Sequence, residues 1–544
     1  MSDINLSQLI ERLREAIGHD NVVADEKQLE ILSRTCIPYR ELPSVIVYPT
    51  TAAQVQKVVL IAKDMNAPIW PVSTGKNWGY GEQTACYPSG ITMILNRMTK
   101  IWHVDEKLGY AVIEPGVTYQ MLNDHLKNNK IGLWADVSGS TQSGSVIGNA
   151  LDKGRGVTPY ADHFGSLCGM DVVLADGQIL ETGGGPQGNN HARHVYKWGL
   201  GPYLDGIFAQ SNYGIVVKAG VWLMPQPEEF DWAVFEFTAG PETFGALVDD
   251  MRGLVFSGAM RARPHLANDF AMMCIVSQYP HELLNGKKCL SEDAMAVWRK
   301  KHGVARFTFG CGLYGTAEEV RFQRKHLRRV LSQYGMIQFL GAAVKDNLQG
   351  KILRWLAPTI NRMMGKSASF TDALVPGINL FRGIPTDFFA KQVYFKSFKT
   401  KPSGDIIDPA RDQCGFLWIG PLVPFISDHI EKAVSLSKAI SAKYEFDYFL
   451  EVIIESPRAV IFLLGVFYDR NDPAESKRAT DWYAETKETF LNNGYPAYRT
   501  TTMSMPHSLD KNVVTKNIFE SIKKAVDPTN VIAPGRYGIM PHKE

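Results

Sequence analysis

The chain has 544 residues, 45% of them hydrophobic and 21% charged, so it can bury more than one core and has the balance of a folded globular protein. Its 58 Lys and Arg against 56 Asp and Glu leave a net charge of +2, which removes any electrostatic reason to expect nucleic acid or an acidic membrane surface as partner. The seven cysteines are scattered, odd in number and lack CxxC or Cys/His spacing; they give no disulfide framework and no metal site, and point to a reducing, cytoplasmic location.

In chain order, residues 1–34 read as helical. "MSDINLSQLIERLREAIG" is amphipathic with charges throughout and has no signal-peptide apolar core. "SVIVYP" is a β-rich run. Thr50 or Thr51 then caps a helix whose Val55, Val58, Val59 and Ile61 share a side, and "APIWPVSTG" is a second strand running into a glycine loop. "TYQMLNDHLKNN" reads as a helix. "GMDVVLADGQILETG" reads as two strands about an Asp176-Gly177 turn. From about 228 to 495 strands such as "FDWAVFEFT", "FDYFLEVIIE" and "AVIFLLGVF" alternate with helices such as "EVRFQRKHLRRVLSQYG", which predicts an antiparallel sheet with helices against it. The run "AVIFLLGVF" is too short to span a bilayer and reads as a buried strand.

Three loops of small residues fall in the first half: "STGKNWGYGE" (73–82), "SGSTQSGSVIGNALDKGRG" (138–156) and the start of "AQSNYGIVVKAGVWLMPQP" (209–227). Backbone N–H groups without side chains in the way approach phosphate oxygens closely, and a long dinucleotide such as FAD needs several such contacts. Neither GxGxxG with a following acid nor GxxxxGK[ST] is present, so the chain carries neither the ordinary dinucleotide fingerprint nor a P-loop.

Together with "YPTTAAQVQKVV", "AVIEPGVTY", "DQCGFLWIGPLVP", "YPAYRT" and "VDPTNVIAPGRYG", these loops, in this order, resemble the vanillyl-alcohol oxidase / p-cresol methylhydroxylase flavoproteins over nearly the whole chain. The resemblance implies an α+β flavoprotein. Residues 1–227 and 496–544 would form an FAD-binding α/β domain, and 228–495 a cap domain whose antiparallel sheet is covered by helices. It implies that Ser73, Thr74, Gly75, Lys76, Asn77, Trp78 and Gly79 cradle the pyrophosphate. Glu114, Pro115, Gly116, Ser145, Gly148, Asn149, Asp152 and Gly156 would line the FAD, and Gly214, Ile215, Val216 and Arg536 would close around it.

The resemblance further implies that Tyr80 joins Tyr498 and Arg499 in binding a phenolate oxygen. Two phenolic donors and a guanidinium stabilise such an anion strongly in a dry pocket. Hydride loss from the para benzylic carbon to flavin N5 then gives a p-quinone methide. That species can add water, lose a proton to a vinylphenol, end as aldehyde or ketone, or shed a carboxyl group. Oxidase members carry an acid nine residues before the Asn of "GN", where this chain has Ser140; Asp136 is out of register. Glu451 in "FDYFLEVIIE" stands where the hydroxylating branch has an acid, as a base for water or as a strand-edge salt bridge. Ser140 with Glu451 leans towards a hydroxylating dehydrogenase. An oxidase, desaturase or decarboxylase of a larger phenolic natural product, and an electron-transfer subunit partnered with a c-type cytochrome, are the alternatives. The electron acceptor, cytochrome c or O2, stays open, and a homo-oligomer is implied.

The chain also departs from the family. "DPARDQCGFLWIGPLVP" (408–424), where relatives link FAD to His or Tyr, contains neither; Phe416 sits near the linkage position. Lys76 replaces the histidine of the other covalent design, so FAD is expected without a covalent link. Cys414 is expected as a buried thiol rather than a linker. A His-His pair usual before the "YDR" strand end is replaced by apolar residues in "SPRAVIFLLGVFYDR", which predicts a greasier pocket wall. Asp405 or Asp408 is the candidate for a further cap acid.

Overall fold

The structure, a computed structural model, describes residues 5–540 apart from 89, 185–189, 345–347, 364 and 397–406, so Asp405 lies outside the described residues. The opening segment is not one helix. Leu6–Ile17 ends at Gly18, whose φ of 91° breaks the run, and Glu26–Leu32 begins afresh behind an Asp25 cap after a short strand.

The first sheet has four strands in the order Val22–Val23, Val45–Val47, Ile91–Ile94, Ile69–Val72. The last three run parallel, joined through the helix Ala52–Asp64, which Thr51 caps by accepting the Gln54 N–H. Val55, Val58, Val59 and Ala62 of that helix are buried against the sheet, as expected for the apolar side of a crossover helix. The chain end returns here. Ala533 donates to the Ile69 carbonyl and Ile69 to that of Val531, each at 2.7 Å. Fully buried Lys523 fixes the return by donating to the Asn212 and Ile532 carbonyls and to Asp527. A second, antiparallel sheet of five strands includes Leu167–Val173 and Ile179–Glu181, which meet at Gly177 with φ 83°, as the Asp-Gly turn predicts.

Every strand of the third and widest sheet lies between Glu229 and Tyr468. Its order is Gly335–Phe339, Glu229–Phe237, Phe307–Gly315, His265–Asn268, Phe449–Ile454, Ala459–Tyr468, Gly415–Ile419, all neighbours antiparallel, with Leu422–Pro424 also pairing Ala459–Tyr468. Alternation splits its side chains between two faces. Phe235, Phe309, Leu450, Val452, Phe462 and Leu464 join the core under the helices Phe244–Phe256, Ala317–Leu331, Ser427–Lys443 and Pro473–Asn492. Trp232, Val234, Thr308, His265, Glu451 and Leu463 face the other way, into a cavity. Among the described residues no helix is long and apolar enough to cross a membrane.

Candidate active site

The loop after Ile69–Val72 turns on glycines that no other residue can replace. Gly79 has φ 75°, and a Cβ there would meet the rings of Trp418 and Phe416 at 2.5 and 2.6 Å. Gly81 has φ 123°, and its Cβ would overlap Thr502 Oγ1 at 2.1 Å. The buried Glu82 carboxylate accepts the Gly79 N–H at 2.8 Å and the Cys36 N–H at 3.2 Å, so it holds the loop from below. Burial pushes its pKa up to about 7, against the pull of those two donors.

This loop is the wall between two cavities. The first is a cleft lined by Ser73, Thr74, Gly75, Lys76, Asn77, Pro115, Ser145, Gly148, Asn149, Asp152, Gly214, Ile215, Val216 and Arg536, the greater part of the expected cofactor set. Gly148 lies so near Ser73 that a Cβ would sit 1.9 Å from its hydroxyl oxygen. Ser145 caps the short helix Val146–Leu151 and ties the segments together, accepting from Gly148 N–H, donating to the Pro115 carbonyl at 2.6 Å, and donating its own N–H to Thr74. Arg536 donates to the Pro71 carbonyl and lies over Trp70, while its Nε is buried with no protein partner. A cleft lined by small residues with an orphaned guanidinium N–H fits the pyrophosphate of FAD.

Five of the expected cofactor residues lie elsewhere. Glu114 accepts the Lys100 N–H and braces a turn. Gly116 packs on the carbonyls of Leu95, Asn96 and Met98, and Gly156 on the Asp136 carboxylate. Gly79 faces Phe416 and Trp418, and Trp78 lines the second cavity. Gln210, inside the third small-residue loop but not among the expected cofactor residues, also lines the cleft and donates from Nε2 to the Tyr498 carbonyl at 3.1 Å. Asp136 is committed to buried His163, whose Nδ1 lies 2.6 Å from Asn149 Oδ1, so the pair sets the Asn149 side chain.

The second cavity, of about 310 Å3, takes in Tyr80, Tyr498, Arg499, Ser140, Glu451 and the open face of the wide sheet. Three of these converge. The Arg499 guanidinium carbon stands 3.8 Å from the Tyr80 ring centroid and 5.3 Å from that of Tyr498. The Tyr80 hydroxyl and Arg499 Nε are buried and make no well-formed hydrogen bond to protein, although Tyr80 lies within interaction range of Arg499 and Tyr498. Burial, and then Tyr498, hold the Tyr80 pKa well above its ordinary value, so it remains an O–H donor. Burial alone would pull Arg499 down, but Tyr498, Tyr80 and Asp152 outweigh it and keep the guanidinium charged.

Asp152, expected only as a lining residue, is the hub of this end. Its Oδ2 accepts from Asn77 Nδ2 at 3.0 Å and Arg499 Nη1 at 3.2 Å, and its Oδ1 from the Tyr537 hydroxyl at 2.6 Å. Tyr537 has φ 52°, an uncommon conformation for a non-glycine residue, between two left-handed glycines. One carboxylate thus joins the first loop, the 138–156 loop, the Tyr-Arg pair and the C-terminal return.

Ser140 borders both cavities, and its hydroxyl lies 3.0 Å from that of Ser138. Glu451 is not at a strand edge: its strand lies inside the sheet, and its Oε2 sits 3.2 Å from His265 Nδ1 of the neighbouring strand. The wall is therefore less apolar than the missing His-His pair predicts. Phe416 packs on Gly79, Cys414 is buried and in no disulfide, and Asp408 forms an ion pair with Lys76 at 2.6 Å.

A phosphate-fitting cleft joined across a glycine loop to a cavity with an electron-pair-hungry end is the layout of an FAD-dependent oxidoreductase. The FAD binding domain family matches residues 43–183. The chain is 31% identical to the 1'-carboxy-chondrochloren decarboxylase of Chondromyces crocatus over 98% of this chain and 97% of that one. It is 30% identical to the 4-cresol dehydrogenase [hydroxylating] flavoprotein subunit of Pseudomonas putida, over 98% and 95%. Among solved structures, the 4-ethylphenol oxidase from Gulosibacter chungangensis in its isoeugenol complex superposes with a TM-score of 0.86 at 26% identity, covering 98% of this chain and 97% of that one. The chain belongs to the vanillyl-alcohol oxidase / p-cresol methylhydroxylase family of FAD-dependent oxidoreductases.

Proposed function

We propose that the protein oxidises a para-substituted phenol at its para benzylic carbon, by way of a p-quinone methide that then takes up water. The observation that carries this reading is the pair of buried donors that make no well-formed hydrogen bond to protein, Tyr80 O–H and Arg499 Nε, beside Tyr498. A buried donor without a partner costs folding free energy, about 1–3 kcal/mol each, and a phenolate oxygen would relieve both. In this reading Ser73 to Asn77, Ser145, Gly148 and Arg536 hold FAD, which when bound supplies the hydride acceptor. The chain's own residues do the rest. Tyr80, Tyr498 and Arg499 draw the phenol into its anionic form, Asp152 holds Arg499 in place, and the aromatic and aliphatic sheet face excludes water from the ring.

FAD is held without a covalent bond. Support comes from the packing of Phe416 on Gly79, the pairing of Lys76 with Asp408, and the absence of His and Tyr from 408–424. Acid precipitation would then release all yellow colour into the supernatant; colour retained in the pellet would refute it. Ser140, in place of the acid of the oxidase branch, favours an acceptor other than O2, such as a c-type cytochrome. A second reading, oxidative decarboxylation of a larger phenol, is favoured by the breadth of the apolar wall, where Trp232, Val234 and Ile453 extend the cavity. Product analysis with a phenol bearing a para side-chain carboxylate separates the two. For the main reading, Tyr498→Phe and Arg499→Ala must weaken phenol binding; unchanged affinity in both would remove its basis.

A further inference from the structure

The far side of the cavity carries a second polar group, of which the family motifs predict Glu451 but not His265 or Thr308. The phenol-binding residues sit at the Gly415–Ile419 side of the wide sheet, where Gly79 packs on Trp418 and Tyr498 donates its N–H to the Gly420 carbonyl. Phe449–Ile454 lies two strands from that edge and His265–Asn268 three. At about 4.8 Å per strand this sets Glu451 and His265 roughly 10 and 14 Å across the sheet. A phenol, its para carbon and one hydrogen-bonded water bridge a gap of that size.

Register puts the group together. Ala267 stands opposite both Glu451 and Thr308, and His265 is two residues along on the same face. His265 Nδ1 lies 3.2 Å from Glu451 Oε2, and in the tautomer that donates Nδ1–H to the carboxylate Nε2 keeps its lone pair. His265 Nε2 is buried and has no protein partner, and the same is true of Thr308 Oγ1. Both residues line the cavity. Two orphaned polar atoms on one apolar face make a place for a water, which needs two to four polar partners.

We infer that His265 Nε2 is the base that takes a proton from the water adding to the quinone methide. Glu451 is then the positioning residue that fixes the ring, and Thr308 helps to hold the water. The inference rests on the phenol reading above. The step balances: the water oxygen forms a C–O bond to the para benzylic carbon, and the exocyclic C=C pair moves through the ring onto the carbonyl oxygen. That oxygen becomes the phenolate held by Tyr80, Tyr498 and Arg499. One water proton goes to His265 Nε2 and the other stays on the new hydroxyl. The two electrons of the oxidation would already have left with the benzylic hydride, for which FAD held by Ser73 to Asn77, Ser145, Gly148 and Arg536 would be the acceptor. In place of the apolar wall expected, the chain thus supplies its acid–base group from a strand about 190 residues away from the missing His-His site.

The test is anaerobic single turnover of the flavin-loaded full chain with 4-ethylphenol in 18O-labelled water, with products separated as benzylic alcohol and vinylphenol. The wild-type protein should bleach and give labelled alcohol as the main product. His265→Ala and His265→Gln should lower the alcohol-to-vinylphenol ratio by about a hundredfold, the scale of a lost general base. Glu451→Gln should lower it less, since an amide oxygen still accepts from Nδ1–H. The visible flavin spectrum of each variant reports that the fold is intact. An unchanged ratio in both His265 variants overturns the assignment while leaving phenol oxidation standing, as does a wild-type product of vinylphenol alone. No bleaching in the wild-type protein overturns the phenol reading and this assignment with it.

Discussion

The two ends of the substrate cavity are built on opposite plans. The proposed phenol end is assembled from four distant chain segments, residues 77–82, 152, 498–499 and 537, which meet at the Asp152 carboxylate. The other, proposed para end is chiefly one sheet face, where alternation decides what points inward and, among the strand residues, His265, Glu451 and Thr308 interrupt an otherwise apolar wall. The first plan yields a rigid charged site that tolerates no change of partner. The second yields a wall whose side chains can vary singly without unfolding the sheet. On this account the phenol end fixes the reaction and the para end chooses its substrate and product.

The comparison breaks first at Arg499. Arg499→Ala leaves the Asp152 carboxylate without its cation and the phenolate without its counter-charge. Flavin reduction by phenols in stopped flow should fall about a thousandfold or more. Removing a single donor is milder: Tyr498→Phe and Tyr80→Phe should each cost about a hundredfold. Tyr80→Phe carries a sharper signature. Its hydroxyl makes no well-formed hydrogen bond to protein, so unfolding by denaturant should show little loss of stability, and a large loss would mean that the hydroxyl is structural.

Glu82 gives the phenol end a pH signature. Its pKa is about 7 in the folded protein, against 4.5 as the ordinary value. An acid raised on folding binds more protons in the native state between those values, so stability falls as pH climbs from about 4.5 through 7 and levels off above. The full change is of order 3 kcal/mol, and Glu82→Gln should flatten this slope in denaturation midpoints measured from pH 5 to 8. Asp152→Asn keeps the shape but loses the charge. It should cost about 2 kcal/mol of stability and weaken phenol binding, with no change in the product ratio set at the para end. The smallest effect is at Lys76–Asp408, part-exposed on both sides. Lys76→Met should cost no more than about 1 kcal/mol in the same unfolding assay.

What the sequence disclosed follows the same division. Periodicity and caps placed the helix Ala52–Asp64, the turn at Gly177 and the strand Ala459–Tyr468, because each depends on near neighbours. The small-residue loops and "YPAYRT" pointed to the cleft and to Tyr498-Arg499, since family motifs are local too. Asp152 as a hub was hidden because its partners lie 75, 347 and 385 residues away. His265 was hidden because "RPHLAND" looks like any short strand until its register with Glu451 is known. Glu114, Gly116 and Gly156 show the reverse: they stand in blocks that resemble the family's but brace the loops from behind instead of lining the cleft.

The central claim is that the cavity binds a phenolate, and one anaerobic experiment tests it most directly. The flavin-loaded protein is titrated with 4-ethylphenol and, separately, with its methyl ether, 4-ethylanisole, while the visible flavin bands are followed. The account predicts bleaching by the phenol and none by the ether, which cannot present an anion to Tyr80, Tyr498 and Arg499. Equal bleaching by both, or bleaching by neither, would contradict it.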